Sequence, residues 1–101
     1  METLNAIITA ARIEDGGCGF LTAWITLDYG DSKQVFGGYD LRLYAGHFLC
    51  RTMQVAGVKD WADIIGKAIR VKASTIDVFA IGHITKDDWF NPSVDFNKIQ
   101  P

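Results

Sequence analysis

The sequence predicts a small α+β domain. Its form is a mostly antiparallel sheet of about five strands with one main helix packed on a face, in the order β-β-β-α-β-β. Three observations predict it. Residues 20–28 alternate strictly, with Leu21, Ala23, Ile25 and Leu27 on one side and Phe20, Thr22, Trp24, Thr26 and Asp28 on the other, the period of a half-buried strand. Residues 43–56 place Ala45, Phe48, Leu49, Thr52, Met53 and Ala56 at i, i+3, i+4, i+7, i+8 and i+11, one stripe at helical period. The chain has 101 residues, room for one domain, residues 1–101.

The remaining elements follow in order. Residues 4–13 are rich in β-branched side chains and read as the first strand. Asp15-Gly16-Gly17 tolerates positive φ and reads as a hairpin turn. Tyr29-Gly30-Asp31-Ser32 is a second turn, and residues 33–36 a short third strand. Gly57 follows the last periodic residue of the helix, where a left-handed terminator belongs, and Val58 closes back on the last turn. Asp60 is placed to cap a short helix over residues 61–65. Residues 67–73 and 76–84 form two further strands joined at Ser74-Thr75. The second is apolar on both faces and reads as a central strand. Residues 93–101 read as an extended tail.

Composition narrows the class. Hydrophobic residues make up 49% of the chain and charged residues 22%, with six Phe, three Trp and three Tyr, a balance that excludes a disordered chain. The formal charge of −2 gives no net pull toward nucleic acid or an anionic membrane. Cys18 and Cys50 are far apart and form no CxxC pair, so they are expected as thiols in a reducing compartment. The first ten residues lack a secretory pattern, and no apolar run is long enough to span a bilayer. The expected location is the cytoplasm.

No phosphate-binding glycine motif occurs, and no metal-ligand spacing beyond His47 and Cys50 at i, i+3. No metal or cofactor is expected. His47 and His83 are the two histidines. An active site would need His83 to meet Asp87 or Asp88, and an ordinary structural role outweighs this. Gly37-Gly38-Tyr39 reads either as a turn needing positive φ or as a loop with Tyr39 as an aromatic anchor. Lys67, Arg70 and Lys72, with Lys59 nearby, form the one basic cluster. With an aromatic close by it suits phosphates and bases, and it equally suits a solvated strand face. Trp89-Phe90-Asn91-Pro92 pairs two large aromatics with a proline, as a plug for the tail or as an anchor for a partner.

Several segments resemble a group of short bacteriophage and prophage proteins. They are Leu21-Thr22-Ala23-Trp24 through Leu27-Asp28-Tyr29-Gly30, Phe36-Gly37-Gly38-Tyr39, Gly57-Val58 with Trp61, Gly66-Lys67 with Ile69-Arg70-Val71, and Ile81-Gly82-His83-Ile84 with Lys86-Asp87 and Trp89-Phe90-Asn91-Pro92. Asp40-Leu41-Arg42-Leu43 stands where the resemblance implies a longer loop. The resemblance implies no particular chemistry. It implies a phage-derived, non-enzymatic protein that binds and inhibits a host defence component, with a CRISPR–Cas effector the leading expectation. The residues expected to carry this are Tyr39, Arg42, Tyr44, Arg51, Trp89 and Phe90. The alternative is a nucleic-acid or nucleotide-binding module that uses a sheet face with Trp24, Lys67, Arg70 and Lys72. A homodimer that buries an edge strand fits either reading.

Overall fold

The computed structural model describes residues 1–17, 20–41, 44 and 46–99, the last two by backbone alone. Cys18, Arg42, Leu43 and Ala45 lie outside the described residues. The described residues form six antiparallel strands: β1 (Glu2–Asp15), β2 (Leu21–Asp28), β3 (Lys33–Asp40), β4 (Ala68–Ala73), β5 (Val78–His83) and β6 (Trp89–Phe90). Helix α1 (His47–Ala56) connects β3 to β4, through a 3₁₀ turn at Trp61–Asp63, and helix α2 (Pro92–Ile99) follows β6. The fold is α+β with one main helix, as the sequence predicts, with one strand and one helix more.

The strand order is β3-β2-β1-β4-β5-β6. Three hairpin-connected strands are followed by a fourth that returns beside the first, which makes a Greek key. β1 serves two partners in succession. Glu2 to Ile7 pair with β4, and Ile7 to Asp15 pair with β2, with a bulge between Ile8 and Ala10. A strand that changes partners bends the sheet about itself. The two edge strands consequently approach each other, with the Phe36 ring of β3 edge-on to the Phe90 ring of β6 at 6.0 Å.

The core lies inside this curl. Ala23, Ile25 and Leu27 of β2, Ile8 of β1, and Ile69 and Val71 of β4 are fully buried. From α1 come Phe48, Thr52, Val55 and Ala56. Phe48 stacks on Phe36 at 5.6 Å. The Thr52 hydroxyl is buried with no hydrogen-bond partner among the described residues.

Local chemistry sets the boundaries. Gly57 has φ +76, its N–H donates to the Gln54 carbonyl, and Val58 N–H donates to Met53, the paired bonds of a Schellman cap. Asp60 accepts from Ala62 N–H at 2.9 Å and holds the 3₁₀ turn. Gly37 and Gly38 have φ +130 and +82. They sit at a bulge inside β3 opposite Ala23 and Trp24, so they serve a strand kink where a strand-to-helix turn is expected. A Cβ on Gly37 would clash with the Ala23 carbonyl oxygen.

Two further elements differ from expectation. Of the expected extended tail over residues 93–101, residues 93–99 are helical, because α2 occupies Pro92–Ile99, and residues 100–101 lie outside the described residues. Asn91 caps it, accepting from Val94 N–H at 3.4 Å, and Pro92 fits the first helical position. β5 starts at Val78, not at residue 76. The Ser74 hydroxyl accepts from the N–H groups of Ile76 and Asp77, which lengthens the turn and leaves Ile76 84% exposed. Nor is β5 central along its length, since β6 covers only Ile81 and Gly82. No described helix is long and apolar enough to cross a membrane.

Gly37→Ala is expected to lower stability by more than about 2 kcal/mol, because a clash with backbone adds to a strained φ. Gly30→Ala, at φ +104 in open space, is expected to cost about 1 kcal/mol from the left-handed conformation alone. Urea unfolding of the two variants measures the difference. Thr52→Val is expected to raise the urea midpoint, with a gain of about 1 kcal/mol from removal of an unpaired buried hydroxyl.

Candidate functional site

Strand alternation sorts the sequence-selected residues into two surfaces. Ala68, Arg70 and Lys72 of β4 pair with Ile7, Asn5 and Thr3 of β1. Gly82 and Ala80 of β5 stand opposite Arg70 and Lys72, and Trp89 of β6 stands opposite Gly82. Directly opposed residues share a face, so Arg70, Lys72 and Trp89 share the outer face, away from the core. The Trp89 ring lies flat on Gly82, where a Cβ would meet its Cδ2 and Cε3 atoms at 2.6 Å. Gly82 is thus the residue that lets the indole settle on the sheet.

Two cations converge on that indole. The Lys72 ammonium is 4.3 Å from the ring centroid and the Arg70 guanidinium 4.9 Å. Both distances lie within cation–π range. Arg70 is oriented by its own hydrogen bonds, donating from Nε to the His83 carbonyl at 2.8 Å and from Nη2 to the Lys86 carbonyl at 2.7 Å. Among the described residues, no carboxylate lies within ion-pair distance of Arg70 or Lys72. The site therefore holds two cations beside an aromatic ring with no ion-pair partner among the described residues.

The other members of the predicted basic and aromatic face are not part of it. Lys67 is exposed but precedes β4, out of step with Arg70 and Lys72. Trp24 is on the outer face, yet it stands opposite Arg12 while Arg70 stands opposite Asn5. Seven residues of β1 separate those positions, or about 20 Å of strand. Trp24 rests on Gly38, where a Cβ would meet its ring at 2.6 Å.

The second surface lies where β3, α1 and β6 meet. It gathers most of the residues expected to bind a partner, and α2 covers it. Phe90 is fully buried, so the reading of Phe90 as an exposed anchor is corrected: its pairing with Ile81 turns it into the core. Tyr39 packs tilted on Phe48 at 5.5 Å and edge-on to Phe96 at 5.0 Å, and burial raises the pKa of its hydroxyl above the ordinary value. Tyr44 stacks on Phe96 at 3.8 Å and 8°. Arg51 does not project into solvent. Its Nη2 donates to Asp88 at 2.7 Å and to the Trp89 carbonyl at 3.1 Å, and its Nη1 to Gln54 at 2.6 Å. Arg42 lies outside the described residues. Trp89 alone of the set presents its ring on the outer face.

Sequence reasoning missed Phe96 and Asp95. Phe96 is 5% exposed, and its ring also stands 5.8 Å from His47 and 6.2 Å from Phe90. Asp95 Oδ2 is 3.1 Å from His47 Nε2 and 4.0 Å from Arg51 Nε. Asn91-Pro92 was the available signal, since an Asn cap followed by proline opens helices. Of the side chains described on α2, Pro92 and Phe96 are buried, while Ser93, Val94 and Asn97 are exposed. A helix this short is unstable alone, so its order depends on packing against the rest of the fold.

His83 is a turn-former. Its Nδ1 accepts from Thr85 N–H at 3.1 Å and Lys86 N–H at 3.0 Å. The Asp88 carboxylate bonds Arg51. Among the described residues, no hydrogen bond joins the His83 ring to the carboxylate of Asp87 or Asp88. No three His, Cys, Asp or Glu side chains converge as a metal site among the described residues. Comparison with protein-family models, curated proteins and solved structures finds no match.

Asp88 gives a pH test. The hydrogen bond from Arg51 holds its pKa below the usual carboxylate value, helped by the charges of Arg51, His83 and Lys86 and opposed by partial burial. A depressed folded pKa contributes stability above the unfolded value, and this is lost as pH falls through the folded one. Asp88→Asn is therefore expected to cost up to about 1 kcal/mol at pH 7, given its exposure. The gap between wild type and variant should close as pH falls below about 4. Urea midpoints measured across pH 3–7 check this; a gap that widens toward acid would contradict the assignment.

Proposed function

We propose that the chain is a non-enzymatic binding protein whose ligand is single-stranded nucleic acid, met on the outer face at Arg70, Lys72 and Trp89. One observation carries this reading: two cations without a described counter-charge are held against an indole on an open sheet face. Single-stranded nucleic acid offers what such a face takes, a phosphate for the cations and a base for the ring. The architecture adds support: a Greek key curled toward a partly open barrel is the form used by oligonucleotide- and oligosaccharide-binding domains.

A second reading follows from the phage resemblance. In it the chain acts in the bacterial cytoplasm as an inhibitor of a host defence component, with a CRISPR–Cas effector the leading candidate. An apolar patch favours a protein partner. Ile76 is 84% and Val35 49% exposed, and both line a shallow groove with Thr26, Lys33 and Thr75. Ile76→Asp should abolish co-migration with such an effector if this face is used, and intact binding by that variant would discard the patch.

The nucleic-acid reading is tested with a fluorescent oligonucleotide at two salt concentrations. Affinity should fall steeply as salt rises from about 50 to 200 mM. Lys72→Ala should weaken binding across sequences and reduce the salt slope by about 1. Trp89→Leu should cost about 1–3 kcal/mol of binding through lost stacking. No binding of wild type at low salt would remove the reading.

A further inference from the structure

The groove between β3, α1 and β6 has an unusual lining for a place that merely stores a chain end. Tyr39, Tyr44, His47 and Phe90 surround one phenylalanine ring, and Phe96 fills the space between them. Beside this aromatic cage stand Arg51 and His47, and the Asp95 carboxylate faces both. The cage therefore reads two adjacent side chains, an aromatic ring and the carboxylate just before it. The groups facing Asp95 are the His47 imidazole and the Arg51 guanidinium, both from α1. Asp88, from the turn before β6, takes the other end of Arg51.

Among the described side chains of α2, Pro92 and Phe96 are buried and Ser93, Val94 and Asn97 are exposed. An eight-residue helix is marginal without its packing, and such an element opens at lower free energy than the central strands of a sheet. Opening exposes a preformed aromatic pocket with a guanidinium at its rim, the arrangement that takes a short helical anchor from another chain.

We propose that this groove is a docking site for a protein segment in which a carboxylate immediately precedes a phenylalanine, and that α2 is the chain's own occupant of it. Charge complementarity selects the partner: the Arg51 guanidinium favours an acidic residue at the position of Asp95, which the His47 ring also meets at hydrogen-bond distance, and a basic residue there would be repelled. The proposal stands apart from the nucleic-acid reading, which concerns the opposite face. Tyr39, Tyr44 and Arg51 regain through it a role in partner binding, exercised when α2 leaves.

The test uses the full chain carrying Phe96→Ala, which empties the cage, and a fluorescein-labelled peptide of residues 91–99. The peptide is expected to bind this variant at least about ten-fold more tightly than wild type, whose own helix competes. Replacing the peptide's phenylalanine by alanine, or its aspartate by lysine, should weaken binding by about ten-fold or more. If the variant is folded by circular dichroism and the peptide fails to bind at about 1 mM, the proposal is overturned. Equal binding of the lysine peptide overturns it as well. Amide exchange of wild type gives a reading that needs no variant. The Asp95 and Phe96 amides should exchange at least about a hundred-fold faster than those of Ile69 and Val71. Equal protection would mean that α2 opens only with the whole fold, and would overturn the proposal.

Discussion

The fold depends on β1 changing partners at Ile7. Before that residue the strand belongs with β4, and after it with β2. A strand satisfied on both edges along its whole length would build a flat, open sheet. This one hydrogen-bonds in two directions in turn, and the sheet must curl to follow it. Curling brings β3 toward the other half of the sheet, where the Gln34 amide donates to the Ser74 carbonyl in the turn between β4 and β5 at 3.0 Å. It also creates the enclosed volume that Phe36, Phe48 and Phe90 fill. The helix has no separate core to find; it closes the open side of a curl that the sheet has already made.

That constraint separates what was legible in the sequence from what was not. Alternation on β2 was legible because Ala23, Ile25 and Leu27 each stay buried along one straight strand. The α1 stripe was legible in Phe48, Thr52 and Ala56, although Val55 is buried too. Caps at Gly57 and Asp60 were legible because they are local chemistry. The partner change at Ile7 was not, since pairing is non-local and the residues around Ile7 carry the same β-branched signal on either side. β6 was missed for a related reason. Two residues give no period, and Trp89-Phe90 form a strand only because Ile81 and Gly82 of β5 offer the edge.

The candidate surfaces were half legible for the same cause. Arg70 and Lys72 share a face by simple alternation, and that needed only β4. Their meeting with Trp89 required β6 and a bare Gly82. On the other side, Tyr39, Tyr44, Arg51 and Phe90 looked available because the chain after Pro92 read as an extended tail, the Asn91-Pro92 helix start being a weak local signal. Once α2 is in position, an aromatic outside the apparent core is an aromatic inside the real one. Exposure of a large side chain is a property of the whole packing arrangement, and a single unassigned element reverses it.

The two surfaces are also joined, and β6 joins them. Its residues point in opposite directions, with Trp89 under the cations of the outer face and Phe90 under α2. Two pairings are little to hold a strand. The rest comes from Arg51, which bonds the Trp89 carbonyl and Asp88 with one nitrogen while its Nε faces Asp95 of α2. Arg51 therefore links the position of the indole to the docking of the terminal helix. Two sites that share such a strut are coupled in free energy to whatever extent their ligands shift it, and the coupling runs equally in both directions. A segment that displaced α2 would free the Asp95 side of Arg51 and take the Phe96 ring from Phe90, two of the contacts that position β6. The outer face owes its geometry to a contact made on the inner one.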